Sequence, residues 1–360
     1  MSAIDQLFEL GTSTWLDDLS RERIETGNLK DVINDKSIVG VTTNPAIFAA
    51  AMTKGDSYDA DIAKLKEQGA KADEAVYSLA VDDVRAACDI FSDIYTRTDG
   101  RDGYVSIEVD PRISDDAAAT LAQAKELSEK IDRPNIMVKI PATKESLPAI
   151  TDTLAEGINV NVTLIFSVER YTEVIDAYVE GIRRAAENGK DVSKIHSVAS
   201  FFVSRLDSEV DKRLDSIGSE IAIALKGKAG VANAQLAYGL FEEKLLNADV
   251  LPQGANLQRP LWASTGVKNP DYSPTLYVAN LAGPHTVNTM PEATLDATLE
   301  HGGIKGDTLT NSAEAAQGII DQLVEVGINF DDVFAQLERE GVEKFVAAWN
   351  ELLDSMESRL

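Results

Sequence analysis

The chain has a single cysteine, Cys88, so it has no internal disulfide framework, and a reducing, cytoplasmic setting is expected. Histidine is nearly as scarce. His196, His285 and His301 lie far apart and have no thiol or acidic residues at metal-ligand spacing, so no metal site is expected. Neither a P-loop nor a Gly-x-Gly-x-x-Gly turn follows any apolar run, so no nucleotide cofactor is expected. No stretch approaches the roughly 18 apolar residues a membrane helix needs. The first residues lack the basic start and apolar core of a secretion signal, which also argues for the cytoplasm. Positive charge is in deficit too: 34 Lys and Arg face 60 Asp and Glu, a formal net charge of -26. Nucleic acid is therefore not expected as a partner, and an anionic substrate would need a local basic pocket built against the overall field.

What the sequence does contain is a regular alternation. Short apolar runs alternate with longer segments of helical period, the pattern of parallel strands joined by crossover helices. Strands are predicted near Thr14–Asp17, Ile38–Thr43, Tyr104–Val109, Ile136–Ile140, Ile158–Ile165, Ile195–Ser200, Pro260–Ser264 and His285–Asn288. Helices are predicted over Ala72–Arg97, Asp115–Lys130, Lys144–Ala155, Val168–Asn188, Val203–Leu214 and Ala232–Leu246. Eight such units without a Pro/Gly/Ser-rich linker point to an α/β fold: a single (β/α)8 TIM barrel with extra helices, spanning 1–360 as one domain. A doubly wound open sheet is the structural alternative. Residues 331–360 read as an amphipathic C-terminal helix, with Val342, Phe345, Val346, Trp349, Leu352, Leu353 and Met356 at helical spacing. It is expected to pack on the barrel.

In a β/α barrel the site gathers at the C-terminal ends of the strands. The predicted ends carry Asp17, Asn44, Glu108, Lys139, Asn161 with Thr163, Ser200 and Ser264. Each alone has a bland explanation: Asp17 as a turn residue, Asn44 as a cap, Ser200 as a satisfied core hydroxyl. Their common position makes them candidates together. Lys139 is the sharpest, because it interrupts the apolar run Ile136-Met137-Val138-Lys139-Ile140-Pro141. A buried ammonium without a partner is costly, and the neutral amine it tends to become is a nucleophile. A lysine snorkelling from a strand end is the competing explanation. Glu108 and Asp17 suit the proton transfers of imine formation and retro-aldol cleavage. Asn161 and Thr163, two apart on a strand, face one side and suit a polyol.

These same residues carry a resemblance. Gly40-Val41-Thr42-Thr43-Asn44-Pro45-Ala46-Ile47-Phe48, the run Ile136 to Thr143 around Lys139, and Asn159 to Ser167 resemble, in order, three segments of the transaldolase family. The likeness runs from Trp15-Leu16-Asp17 to Pro284-His285-Thr286. It implies a barrel with its lysine on the fourth strand, no metal and no cofactor. The implied reaction is transfer of a dihydroxyacetone unit between sugar phosphates, as in the pentose phosphate pathway. It further implies Lys139 as nucleophile, Glu108 as acid/base acting through a water, Asp17 as base at the donor C4 hydroxyl, and Thr163 positioning the water. Asn44, Asn161 and Ser200 would hold the dihydroxyacetone hydroxyls. Arg205 matches the family's phosphate-binding arginine, and Phe202 an aromatic near the acceptor.

One segment departs from the pattern. Where the family has an arginine two places after a serine, this chain has Ser264-Thr265-Gly266, and Lys268 is the candidate replacement as a point charge. Three readings compete with a transferase: a Schiff-base aldolase releasing free dihydroxyacetone, a cofactor-free phosphosugar isomerase, and a non-catalytic binding barrel.

Overall fold

The computed structural model describes all 360 residues. Seven strands form one parallel sheet: β1 Thr12–Leu16, β2 Val105–Glu108, β3 Ile136–Pro141, β4 Val160–Ile165, β5 Ser197–Phe202, β6 Arg259–Ala263 and β7 Thr286–Met290. Their spatial order is β1-β7-β6-β5-β4-β3-β2. From β2 to β7 each strand lies beside its sequence neighbour, and β1 returns to pair with β7. A doubly wound sheet would reverse its winding at a switch point, and none is present.

Between the two edge strands runs the segment predicted as a strand over 38–43. It carries no regular strand: Val41 alone forms a parallel bridge to Leu16 on one side and to Val105 on the other. The backbone hydrogen bonds still run both ways. Val39 N donates to Thr14 O at 2.9 Å and Thr42 N to Leu16 O at 2.9 Å, while Val41 N donates to Tyr104 O at 2.8 Å. Two local facts shorten this stave. Gly40 lies on the Trp15 ring, where a Cβ would come within 2.7 Å, so only glycine fits. At its other end Asn44-Pro45 starts the helix Pro45–Thr53.

The predicted helices are present, with ends shifted by a few residues: Ala72–Arg97, Ala117–Ile131, Leu147–Ala155, Val168–Glu187, Ser204–Ile217, and Ala229–Phe241 running on into a wider turn over Glu242–Leu246. Five short N-terminal helices between Ala3 and Glu67 were not anticipated. The C-terminal helix spans Phe330–Arg359 and buries Val333, Leu337, Gly341, Phe345, Trp349, Leu352, Leu353 and Met356. This stripe lies against the helices Pro45–Thr53 and Ala72–Arg97 and reaches β4. Val342 and Val346, expected on it, are only half-buried. No helix is long and apolar enough to cross a membrane.

The sheet curls around a polar interior. Asn161 of β4 takes a hydrogen bond from Ser200 of β5 at 2.7 Å and donates to Ser106 of β2 at 3.1 Å. Strands β2 and β4 are separated by β3, so the Ser106 bond crosses the space the sheet encloses. At the N-terminal end of the strands, Asp102 has no exposed surface and accepts from Ser13 Oγ at 2.8 Å, Trp15 Nε1 at 3.1 Å and Arg259 Nη2 at 3.0 Å. With the buried rings of Trp15 and Tyr104, this ion pair forms a filled floor.

Candidate active site

Lys139 lies on β3, beside Glu108 of β2 and Asn161 of β4 in the strand register. It is 5% exposed, so its Nζ cannot snorkel freely into water. The amine is not without partners, as the sequence reading assumed. Nζ donates to the Thr43 carbonyl at 3.0 Å and sits 3.9 Å from Glu108 Oε2. The second distance is an ion-pair contact but too long for a hydrogen bond. Both Glu108 carboxylate oxygens are buried and accept no hydrogen bond. Burial pushes the Glu108 carboxyl up to about 8, with the Asp17 charge adding to the rise and Lys139 opposing it. A carboxylic acid protonated near neutral pH beside an amine is a proton donor in waiting.

Asp17 follows the last residue of β1 and is half-buried. Thr42 Oγ1 donates to its Oδ1 at 2.7 Å. Burial raises its pKa as well, against the pull of Lys139 and of the Thr42 hydrogen bond. Thr42 in turn shares a 2.5 Å contact with Thr289 of β7. The short stave between β1 and β2 thus supplies the Thr42 hydroxyl and the Thr43 carbonyl, which orient Asp17 and Lys139. Neither role was read from the sequence.

Asn161 and Ser200 do not stand at strand ends. They fall within β4 and β5, where Asn161 stands beside Lys139 in the register, and hydrogen bonds tie the two to each other and, through Asn161, to Ser106. Ser106 was also missed, although it lies two residues before Glu108 on the same strand and so shares its face. Thr163 is fully buried and its hydroxyl has no partner. Next to it, Leu164 has φ 58° where the β4–β5 register shifts, a bulge that spends backbone strain at the strand's end. Asn44 caps its helix: its Oδ1 accepts from Ile47 N at 3.0 Å, which leaves the amide NH2 for other use.

Arg205 lies in the first turn of the helix Ser204–Ile217, after β5. It makes no ion pair, its Nη1 is buried and unpaired, and its guanidinium lies 5.0 Å from the Phe202 ring centroid. Burial lowers its pKa, and the charges of Asp17 and Glu108 oppose that effect. Phe202 is buried at the end of β5. Ser264 follows β6 with φ 54°, and its hydroxyl meets Ser204 Oγ at 2.8 Å. Lys268 is not brought to this cluster. It is exposed, makes no ion pair and lines a separate cleft with Asp207, Asp211 and Asp215. None of the other candidates lines that cleft.

Unpaired buried polar atoms are rare in folded proteins, and each calls for a reason. Here Glu108 Oε1 and Oε2, Thr163 Oγ1 and Arg205 Nη1 are all orphaned around one lysine. Parallel α/β strands here bring together a buried lysine, two carboxylates with raised pKa values and a guanidinium without an ion pair, the constellation of a lysine–carboxylate centre.

Comparison with known proteins narrows the class. Residues 14–356 match the sequence profile of the family described as Transaldolase/Fructose-6-phosphate aldolase. The curated relatives include the transaldolases of Mycobacterium tuberculosis (strain ATCC 25618 / H37Rv) and Mycobacterium bovis (strain BCG / Pasteur 1173P2). Each is 57% identical over 354 residues, covering 97% of this chain and 95% of theirs. The transaldolase of Mycobacterium leprae (strain TN) is 57% identical, covering 97% of this chain and 94% of its own. The chain belongs to the transaldolase/fructose-6-phosphate aldolase family.

Proposed function

We propose that the chain acts as a transaldolase, moving a dihydroxyacetone unit from a ketose phosphate to an aldose phosphate through a Schiff base on Lys139. The donors would be sedoheptulose 7-phosphate or fructose 6-phosphate, and the acceptors glyceraldehyde 3-phosphate or erythrose 4-phosphate, as in the pentose phosphate pathway. One observation carries the reading most: a buried Lys139 amine 3.9 Å from a Glu108 carboxyl that has no other partner.

Neutral Lys139 attacks the donor C2 carbonyl. Glu108, protonated at neutral pH, delivers a proton through a water that Thr163 holds, and the carbinolamine hydroxyl leaves as water. The iminium draws electrons as Asp17 removes the C4 hydroxyl proton. The C3–C4 bond breaks, and the aldose phosphate departs. The enamine stays bound until the acceptor aldehyde arrives, and the steps reverse. Asn44, Asn161 and Ser200 hold the hydroxyls of the three-carbon unit, with Ser264 and Phe202 toward the acceptor. Arg205 takes the phosphate. Lys268, with no ion pair of its own, is the proposed second phosphate contact, reached by movement of its loop. The scheme calls for no cofactor or metal.

We take residues 1–360 as one (β/α)8 domain, with the segment through Val41 as its second stave, Lys139 on the fourth, and 331–360 packed on it as the C-terminal helix. A cytoplasmic location fits the single buried thiol. The test is a mass spectrum after incubation with fructose 6-phosphate and borohydride. A substrate-derived adduct on wild type and none on Lys139→Ala is expected. A folded wild type without adduct overturns the reading. An acceptor assay then separates transfer from simple aldol cleavage.

A further inference from the structure

The C-terminal helix reaches the pocket along one stripe. Gly341, Phe345 and Trp349 are four residues apart and buried, so they occupy one face. Each touches something that supports a pocket residue. A Cβ at Gly341 would lie 3.2 Å from Leu164 Cδ2 and 3.3 Å from the Phe166 ring, so glycine lets the helix settle on the β4 bulge next to Thr163. The Trp349 ring lies 5.0 Å from that of Tyr77, whose hydroxyl donates to the Glu108 carbonyl at 3.2 Å. Between them, the Phe345 ring centroid is 6.0 Å from the Arg205 guanidinium, and Phe202 lies against the same guanidinium.

Arg205 must stay ordered without being neutralised. A carboxylate partner would hold it in place but would consume the charge an anion needs. Two aromatic faces orient a guanidinium through ring electrostatics and leave its N–H donors free. The helix carboxylate whose charge acts on Arg205, Glu340, is occupied by Gln336 Nε2 at 2.8 Å and Lys344 at 3.7 Å. We propose that Phe345 is a positioning residue: from the C-terminal helix it holds Arg205 unpaired and aimed, and so sets the affinity of the pocket for the phosphate of its substrates. This inference rests on the transaldolase reading for the identity of the substrate, but not for the binding of phosphate.

The test uses the full chain and three variants. Phe345→Leu keeps an apolar side chain of similar volume and removes the ring face, Phe345→Tyr keeps the face, and Phe345→Ala removes both. With an aldose phosphate acceptor, Phe345→Leu is expected to raise KM about tenfold, with kcat changed less than twofold. KM for the unphosphorylated aldose should stay at the wild-type value, and Phe345→Tyr should restore wild-type behaviour. A Phe345→Leu enzyme with wild-type KM for the phosphorylated acceptor overturns the proposal. So does an equal loss on both acceptors, since that reports a damaged fold. A second arm, calorimetric titration with inorganic phosphate, needs no catalysis. Weaker binding to Phe345→Leu and Phe345→Ala than to wild type supports the role, and equal binding refutes it. If wild type binds phosphate but traps no ketose phosphate with borohydride, the functional reading falls while this arm still decides the inference.

Discussion

Replacing Glu108 with glutamine tests the electrostatics of the pocket more sharply than any activity assay. In the fold, burial holds the Glu108 proton to about pH 8, against an ordinary value of 4.5. At neutral pH the folded chain therefore binds a proton there that the unfolded chain has released. Because the folded pKa is the higher one, its stabilising effect is complete below about 4.5 and is lost as the pH rises through about 8. Each pKa unit corresponds to about 1.36 kcal/mol, so ionisation of this one group withdraws on the order of 5 kcal/mol across the window. Glutamine cannot ionise, and because the carboxylate oxygens accept no hydrogen bonds, the substitution breaks none. The expected result is a pair of urea-unfolding series between pH 5 and pH 9 that diverge. Wild type should lose stability relative to Glu108→Gln at about 1.4 kcal/mol per pH unit up to roughly pH 8, and the two should run parallel above it. Taking the difference between the two proteins cancels the titrating groups that do not feel Glu108 and leaves its own proton with those of its charged neighbours Lys139 and Asp17. Series that stay parallel from pH 5 to pH 9 would refute the reasoning, because they would mean that the fold does not hold the Glu108 proton more tightly than water does.

Other substitutions address the remaining parts of the site and the floor beneath it. Glu108→Gln should also lower kcat by about 10²–10⁴-fold, and the wild-type rate should decline as the pH passes about 8 and Glu108 loses its proton. Thr42→Val removes the donor to Asp17 and lets burial raise that carboxyl further, so the acid limb of the pH–rate profile should move to higher pH. A profile superimposable on wild type would remove Asp17 from the rate-determining proton transfer. Asp102→Ala leaves Arg259 as an uncompensated buried charge. It should cost about 3–5 kcal/mol in chemical denaturation, with KM and kcat near wild type in whatever fraction remains folded. Lys268→Ala should raise KM for phosphorylated substrates if its loop closes on the pocket, and an unchanged KM eliminates it as a phosphate contact.

Much of this was legible because periodicity and strand-end chemistry are local signals. The Ala72–Arg97 helix was read to the residue, since apolar spacing persists through it and little competes. Lys139 stood out because a charge inside an apolar strand has few explanations. The Ile38–Thr43 run looked like a strand for the same compositional reason. Its shortening depends on Trp15 lying beneath Gly40, a contact no local pattern reports. Asn161 and Ser200 were assigned to strand ends, yet they fall inside strands that run on to Ile165 and Phe202, because strand length is set by pairing partners rather than by the run itself. The short N-terminal helices escaped notice for want of several turns of periodicity, though Ser2 and Asp5 form a capping box that marks the first. Thr42, Thr43 and Ser106 matter through what they touch across the enclosed space, and sequence distance hides that. Gly341 and Phe345 act over still longer range, since a residue near the C-terminus meets the ends of β4 and β5 only after the helix has docked.

The floor of Asp102, Arg259, Trp15 and Tyr104 also bears on traffic. With that end closed by a buried ion pair and two fully buried rings, Lys139 is not approached from the N-terminal ends of the strands. In the transfer proposed at Lys139, both aldoses would then have to come and go at the C-terminal ends of the strands, one after the other. The order of events in that transfer would follow from the closed floor as much as from the chemistry at the lysine.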